Sequence, residues 1–206
     1  MVIAGAGGHA LEVLDVLFSQ HQEEEIVLFD EFNTEEFFDG KYPILKTEEE
    51  LKKHFLKDPR FILGTGNPKL RTRFYKKFSE LGGSHIGLRG KGNHCSESAG
   101  FASADIMNLC FVGPKAQIGK GSLVNSGALV HHEVVVGDFC EIAPRAVLLG
   151  KVYLGNQVMI GANATILPNI KIGNHVVIGA GAVVTKDIPD DVTVVGVPGQ
   201  IIKINE

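Results

Sequence analysis

The sequence predicts two domains: an α/β domain over residues 1–90 and a parallel β-helix over residues 91–206. Through about Leu88, short apolar runs of strand character alternate with runs of helix character, which is the pattern of βαβ units around a parallel sheet. After a polar, glycine-containing stretch at 89–105, an aliphatic residue instead recurs every six positions. This change of period places the predicted boundary near residue 90.

The first domain has three predicted strands, at 2–4, 26–29 and 61–63. A helix is predicted between the first two strands from apolar residues at helical spacing. Its predicted apolar face consists of Leu11, Leu14, Val16 and Leu17. About 85 residues suffice for one mononucleotide-binding, Rossmann-like unit and are too few for a full two-lobed dinucleotide fold.

Capping signals predict the other two helices of this domain. Thr47 followed by Glu50 is a capping box and predicts a helix over 48–56. Asn67 before Pro68 is typical of an N-cap followed by the first helical residue. The predicted apolar face of this third helix consists of Leu70, Phe74, Phe78 and Leu81.

The second domain is predicted from its six-residue period. In steps of six from Ile106 to Val184, all fourteen positions are aliphatic, which chance would produce on the order of once in 10^8 trials. The residue four places after each is small or branched, as at Cys110 and Cys140. Neither the helix period of 3.6 residues nor the strand period of two explains a repeat of six residues. We therefore predict a triangular coil with both series inside, with between four and five coils over 106–189.

Composition and charge exclude several classes of protein. Lysine and arginine total 20 against 24 aspartate and glutamate, a net charge of −4, so no nucleic-acid or anionic membrane partner is expected. No apolar run approaches a bilayer span, and the N-terminus lacks signal-peptide features, which predicts a cytoplasmic protein. The three well-separated cysteines predict free thiols. A metal enzyme would need three convergent histidines, and beyond His131 and His132 the repeats offer only His175, so no metal is expected.

Five short motifs together resemble a known family. They lie at 5–9, 29–31, 66–71, 130–133 and 179–184. On these motifs nearly the whole chain resembles the hexapeptide-repeat sugar acetyltransferases of bacteria, which include sialic acid O-acetyltransferases and UDP-amino-sugar N-acetyltransferases. The resemblance implies a left-handed coil, a homotrimer, acetyl-CoA as co-substrate and active sites in grooves between neighbouring β-helices.

One hexad carries a histidine beside a carboxylate. Val130 and Val134 are inward positions, so His131, His132 and Glu133 face outward from a turn. An imidazole with a pKa near 6.5 suits a general base for acetyl transfer, and an adjacent carboxylate can hold its second nitrogen. The resemblance aligns His132 with the catalytic base and Glu133 with its partner. His131 replaces the acid that usually comes first, which leaves open which ring is the base, and a solvated turn without a role is the alternative.

The resemblance also implies residues that contact acetyl-CoA. The backbone N–H of Gly150 is implied as the donor to the carbonyl oxygen, where negative charge develops. A glycine needed only for a tight turn is the alternative. Ala162 and Ala180 are implied to lie along the pantetheine. Glu141 occupies a position where some relatives have a cofactor-contacting histidine, so that contact is not expected here.

The loop at 5–10 joins a strand to a helix and predicts an anion site. With Asp30 about twenty residues later it fits the dinucleotide fingerprint, but the missing second half of that fold argues against NAD. The resemblance implies a nucleotide-sugar acceptor instead. The implied acceptor residues are Gly7, Gly8, His9, Asp30, Glu31, Gly66 and Asn67. Glycines that only allow close packing between helix and strand are the alternative.

These observations predict an acetyl-CoA-dependent enzyme that acetylates the amine of a nucleotide-linked amino sugar. O-acetylation of a sialic acid is an alternative, because one base serves either nucleophile. A non-catalytic trimeric scaffold that binds nucleotide sugars is an alternative of a different class.

Overall fold

A computed structural model describes residues 1–19 and 25–205. The chain divides into two compact units. The first comprises Met1–Gly66 and Leu70–Leu88, and the second Asn67–Lys69 and Arg89–Glu206. No helix in the described part of the chain is long and apolar enough to cross a membrane.

The first unit contains a six-stranded sheet with the order β3-β4-β2-β1-β5-β6, in which all pairs are parallel except β3 with β4. Its strands are β1 Val2–Ala4, β2 Val27–Phe29, β3 Phe37–Phe38, β4 Tyr42–Leu45, β5 Arg60–Leu63 and β6 Ser84–His85. The helices are α1 Gly8–Ser19, α2 Glu48–Phe55 and α3 Pro68–Glu80. The predicted strands and helices are all present. We did not predict β4, because Pro43 interrupts its apolar run.

Aromatic rings form the core between this sheet and the helices. The Phe78 ring of α3 lies 5.3 Å from Phe29 and 5.1 Å from Phe61, edge to face in both cases. Two members of the predicted helix faces are wrong, because Leu11 is 48% exposed and Leu70 is 40% exposed. The buried residues of α1 are Ala10, Val13, Leu14, Val16 and Leu17. Leu70 lines a cavity described below.

The predicted capping box at the start of α2 is confirmed. The backbone N–H of Glu50 donates to Thr47 Oγ1 at 3.2 Å, and Thr47 N–H donates to the Glu50 carboxylate at 3.0 Å. These two bonds satisfy N–H groups that a helix start leaves without partners.

The second unit is a coil of short parallel strands that ends in a hairpin. Its strands are β7 His94–Cys95, β8 Gly100–Phe101, β9 Asp105–Ile106, β10 Phe111–Val112, β11 Gln117–Ile118, β12 Leu123–Val124, β13 Leu129–Val130, β14 Val135–Val136, β15 Glu141–Ile142, β16 Val147–Leu148, β17 Tyr153–Leu154, β18 Met159–Ile160, β19 Thr165–Ile166, β20 Lys171–Ile172, β21 Val177–Ile178, β22 Val183–Val184, β23 Val192–Val195 and β24 Gln200–Ile204. The first face stacks β7, β10, β13, β16, β19 and β22, and the second stacks β8, β11, β14, β17 and β20. The third face stacks β9, β12, β15, β18, β21 and β23, with β24 antiparallel at its end.

Both predicted inward series lie in the core of the coil. Every aliphatic residue from Ile106 to Val184 in steps of six is at most 2% exposed. The second series is at most 9% exposed, and burial raises the pKa of the Cys110 thiol to about 11. Each such aliphatic side chain contributes about 1.5–3 kcal/mol of transfer free energy. The repeat period therefore predicted the core correctly.

The coil is longer than predicted, because its first turn lies inside the polar stretch at 89–105. Cys95 pairs with Val112, and Phe101 pairs with Ile118. The hexad between Phe101 and Ile106 is one residue short. Counting back in sixes from Ile106 therefore reaches Gly100 and His94. Each lies one place before an inward residue, Phe101 or Cys95. The prediction of four to five coils is wrong at this end, and the first face stacks six strands.

Each turn from Leu109 to Gly181 contains one residue in the left-handed region, with φ between +54° and +70°. In every turn from Gly127 to Gly181 the N–H of this residue donates to a carbonyl of the preceding coil, as from Glu133 to Pro114 at 2.9 Å. A left-handed residue other than glycine costs about 1–2 kcal/mol, and this hydrogen bond offsets about 0.5–1.5 kcal/mol of that cost. We call the residue immediately before it the corner residue.

The corner residues form three columns. The first corner, between the first and second faces, has Pro114, His132, Gly150 and Pro168. The second corner has Lys120, Asp138, Asn156 and Asn174, and the third has Asn108, Ser126, Pro144, Ala162 and Ala180.

The second corner carries a ladder of side-chain hydrogen bonds between coils. The N–H of Lys120 donates to Asp138 Oδ1 at 3.1 Å, and the N–H of Asp138 donates to Asn156 Oδ1 at 2.8 Å. The N–H of Asn156 donates to Asn174 Oδ1 at 2.9 Å, and Asp190 accepts from the N–H of Asn174 at 2.8 Å. The ladder satisfies every corner N–H of this column.

An inward substitution tests the packing of the coil. Ile160→Ala should lower the free energy of unfolding by about 2–5 kcal/mol, because the fully buried side chain leaves a cavity. Lys171→Ala, at an exposed outward position, should change it by less than about 0.5 kcal/mol. Urea titration followed by circular dichroism measures both. Equal effects would contradict the assignment of inward and outward positions.

Candidate active site

His132 and Glu133 form a hydrogen-bonded pair at the first corner. His132 Nδ1 lies 3.1 Å from Glu133 Oε2, and the side chains are 55% and 44% exposed. The pKa of the Glu133 carboxyl is held below its usual value, first by this hydrogen bond and then by the charge of Lys151. An ionised carboxylate only accepts, so Nδ1 carries the proton and Nε2 is the nitrogen that can act as a base.

Gly150 lies directly against the imidazole of His132. A Cβ atom at Gly150 would be 2.4 Å from both Cε1 and Nε2 of His132, closer than any real contact. The φ of Gly150 lies outside the left-handed region, so the turn itself does not demand glycine. Space for the imidazole is the physical reason for glycine here.

Five corner residues keep a backbone N–H that forms no hydrogen bond within residues 1–19 and 25–205: Asn108, His132, Gly150, Ala162 and Ala180. Proline supplies no N–H at the other first- and third-corner positions, apart from Ser126, whose N–H donates to Asn125 Oδ1. Three of these five residues, Gly150, Ala162 and Ala180, are the ones that the resemblance implied for acetyl-CoA. Donors left without a partner within the coil suit a ligand that brings carbonyl or phosphate oxygens.

His131 has a different environment from His132. Its ring centroid lies 5.5 Å from that of Phe111, which stacks in turn on His94 at 5.3 Å. His131 therefore belongs to an aromatic column on the first face. Of the two histidines, His132 is the one in contact with Glu133 and Gly150.

The implied acetyl-CoA residues occupy two different corners of one coil. His132 and Gly150 lie at the first corner, whereas Ala162 and Ala180 lie at the third. The first face separates the two sets. Glu141 lies on the third face and is 9% exposed.

The first unit has a cavity of about 270 Å³ at the carboxyl ends of its strands. Of the predicted acceptor residues, five line it: Gly7, Gly8, His9, Asp30 and Glu31. Gly66 and Asn67 do not line this cavity, and Gly64 and Thr65 do. Asn67 instead caps α3, accepting a bond from the N–H of Lys69 at 3.0 Å. The loop after β5 therefore reaches this cavity through Gly64 and Thr65.

The glycines of this loop have different physical roles. Gly5 has a φ of +104°, which a side chain would disfavour. A Cβ at Gly64 would lie 2.5 Å from a methyl group of Ile3, so packing requires glycine there. A Cβ at Gly7 or Gly8 would meet no described atom within 4 Å. Packing therefore does not explain these two glycines, which favours the approach of a ligand.

The carboxylate of Asp30 accepts hydrogen bonds from three backbone N–H groups. Its Oδ1 accepts from the N–H groups of Phe32 at 2.9 Å and Asn33 at 3.1 Å, and its Oδ2 accepts from Ala6 N–H at 3.3 Å. The carboxylate therefore shapes the loop around the cavity.

Glu31 is held in ion pairs with α3. Its carboxylate contacts Arg73 at 2.7 Å and also Lys77. Arg73 lines the cavity, and its guanidinium lies 5.9 Å from the exposed ring of Phe32. We did not predict Arg73, although it lies three positions after Leu70 on the same helix.

Within the described residues, no group of three or more histidine, cysteine, aspartate or glutamate side chains is placed to hold a metal ion. The three cysteines are free thiols.

The chain matches two family models: the PglD N-terminal domain at residues 1–78, and the bacterial transferase hexapeptide repeat at residues 151–186. A mutant of perosamine N-acetyltransferase from Caulobacter crescentus, in complex with CoA and GDP-perosamine, is 26% identical with a TM-score of 0.90. That match covers 98% of this chain and 96% of the other. The acetyltransferase domain of PglB from Neisseria gonorrhoeae, in complex with acetyl coenzyme A, is 28% identical with a TM-score of 0.90 and 98% coverage of both chains.

WeeI from Acinetobacter baumannii has the same fold, with a TM-score of 0.86 over 98% of both chains at 24% identity. The two family models match separate parts of the chain, and these structures span both parts. The chain thus matches the PglD N-terminal domain in its first part and the bacterial transferase hexapeptide repeat in its second, and over 98% of its length it is similar to solved sugar N-acetyltransferases.

Proposed function

We propose that this protein is an acetyl-CoA-dependent acetyltransferase that acetylates the amine of a nucleotide-linked amino sugar, with His132 as the general base. The observation that carries the proposal is the contact of His132 with Gly150, whose N–H forms no hydrogen bond with a described residue. A base and a free donor thus adjoin one another, as acyl transfer requires. Two structures with a TM-score of 0.90, solved with CoA or acetyl coenzyme A, support the same chemistry.

The residues of the first corner have separate roles in this mechanism. Nε2 of His132 takes the proton of the attacking amine, while Glu133 holds Nδ1–H and stabilises the imidazolium. The N–H of Gly150 donates to the acetyl carbonyl oxygen as negative charge develops on it. Bound acetyl-CoA would supply the thioester: its C–S bond would break as the amine nitrogen bonds to the acetyl carbon, and CoA would leave as the thiol with the proton held by the imidazolium. The N–H groups of Ala162 and Ala180 hold oxygens of its pantetheine arm.

A homotrimer accounts for the separation of the two corners. A single coil presents its base at the first corner and three of its free N–H groups at the third. A groove between neighbouring copies of a left-handed coil would bring the first corner of one copy to the third corner of the next. The outward side chains of the first face, which include Leu129 and Val147, would then lie within the assembly.

The cavity of the first unit is the proposed acceptor site. It lies at the carboxyl ends of parallel strands, where α/β sheets of the Rossmann-like type bind nucleotides. Gly7 and Gly8 leave open space beside the start of α1, whose N–H groups favour phosphate. The related perosamine N-acetyltransferase was solved with GDP-perosamine, which supports a nucleotide sugar as the ligand class.

The proposal is tested by thiol release from acetyl-CoA in the presence of UDP-, GDP- and dTDP-linked amino sugars and free sialic acid. We expect turnover with an amino-sugar nucleotide. Turnover with sialic acid alone would favour O-acetylation, and no turnover with any acceptor would favour a binding protein.

Separate substitutions of the two adjacent histidines test which ring is the general base. His132→Ala should lower kcat by roughly 10^2- to 10^4-fold, because the proton acceptor is lost. His131→Ala is the matched control and should retain most activity, because that ring packs on Phe111. Steady-state kinetics measure both. A larger loss in the His131 variant would assign the base to the other ring.

Gly150→Ala should lower kcat by about 10^2-fold, because a methyl group displaces the imidazole while the N–H is kept. In a His132→Ala background the same change should have little further effect, since the clash is gone. A double-mutant cycle of kcat measures this coupling. Independent effects would contradict a spatial role for this glycine.

Gly7→Leu should raise the Kd of the nucleotide sugar about tenfold or more, while the free energy of unfolding stays within about 1 kcal/mol of the unsubstituted protein's. The reason is that the new side chain would occupy the cavity without meeting described atoms near its Cβ. Calorimetric titration and urea unfolding measure the two quantities. A loss of stability with unchanged affinity would assign this glycine to packing.

A further inference from the structure

The second unit has a larger cavity at a corner that the proposed mechanism does not use. Its volume is about 490 Å³, which lies within the usual range of small-molecule sites. Gln157, His175 and Asp191 line it at the second corner, where they follow the ladder residues. None of the residues implied for acetyl-CoA lines this cavity.

A second histidine–carboxylate pair stands at the rim of this cavity. His175 Nδ1 lies 2.9 Å from Asp191 Oδ1, so Nε2 is the nitrogen left to face a ligand. The backbone holds this pair in place. Asn205 Nδ2 donates to His175 O at 3.0 Å, and Thr193 Oγ1 donates to Asn205 Oδ1 at 2.7 Å. The C-terminal hairpin thus fixes the histidine from behind.

The rim carries an excess of positive charge in a protein whose net charge is −4. Lys69 and Lys203 both line the cavity and are exposed, and neither forms an ion pair with a residue of 1–19 or 25–205. Lys203 is held on β24, opposite Thr193 of β23. The one carboxylate at the rim, Asp191, is already engaged by His175. Two free ammonium groups and an imidazole nitrogen therefore face the same space.

The floor of the cavity is apolar. Met159 and Val177 are paired neighbours on the third face and are half-buried. An apolar floor below cationic donors suits a ligand that has a phosphate group on an apolar or planar body.

We propose that this cavity, with His175, Lys69 and Lys203 at its rim, binds a small phosphorylated ligand at a site separate from both the acetyl-transfer site and the acceptor cavity. The phosphate contacts the two lysines and His175 Nε2, and the body of the ligand lies on Met159 and Val177. The inference does not depend on the proposed acetyl transfer.

Inorganic pyrophosphate is the probe, titrated by calorimetry into the full-length protein saturated with CoA. We expect binding to persist under saturation, because CoA and this cavity use different corners. Lys203→Gln and His175→Gln should each raise the Kd about tenfold, the effect of losing one hydrogen bond to a charged group. Lys186→Gln, an exposed lysine outside the cavity, is the matched control and should leave the Kd unchanged.

Urea unfolding of each variant checks that the coil is intact. The Lys203 variant should unfold like the unsubstituted protein, because Lys203 forms no ion pair with a described residue. Three results would overturn the proposal: no measurable binding, equal affinities of the Lys203→Gln and Lys186→Gln proteins, or loss of binding in Arg73→Gln. The last result would place the phosphate in the acceptor cavity instead.

Discussion

The burial of one aliphatic side chain at every sixth residue is the constraint on which the second unit depends. Each inward residue pairs in parallel with its counterpart one coil later, so the corners stack in columns. The imidazole of His132 meets Gly150 because the two are corner residues of successive coils. A repeat that exists to fill a core therefore also sets the geometry of the proposed catalytic pair.

Much of this could be predicted from the sequence, because repeats and caps are local signals. The period of six identified the core, and the spacing of Thr47 and Glu50 identified the start of α2. The first turn was missed because one hexad is a residue short, which moves the inward register without disturbing the strand pairing. Arg73 was missed because its role depends on its position at the cavity, which helical spacing alone does not reveal.

The glycines illustrate how the same residue type serves different ends. Gly64 is required by the methyl group of Ile3, and Gly150 by the ring of His132. The first requirement is not visible in the sequence, because Ile3 is distant from Gly64 along the chain, whereas His132 and Gly150 are one 18-residue coil apart. Gly7 has no such neighbour, and so its side-chain-free surface points to something outside the folded chain.

At Asp138 and Asn156 the ladder of the second corner accepts through one side-chain oxygen, so aspartate and asparagine are equivalent at these two rungs. Hydrolysis of the Asn156 side-chain amide would keep this rung and add a negative charge. At Asn174 the same reaction would also remove the hydrogen bond from Nδ2 to Asp190 and set two carboxylates side by side. Chemical ageing would therefore change the surface potential at Asn156 but weaken the end of the ladder at Asn174.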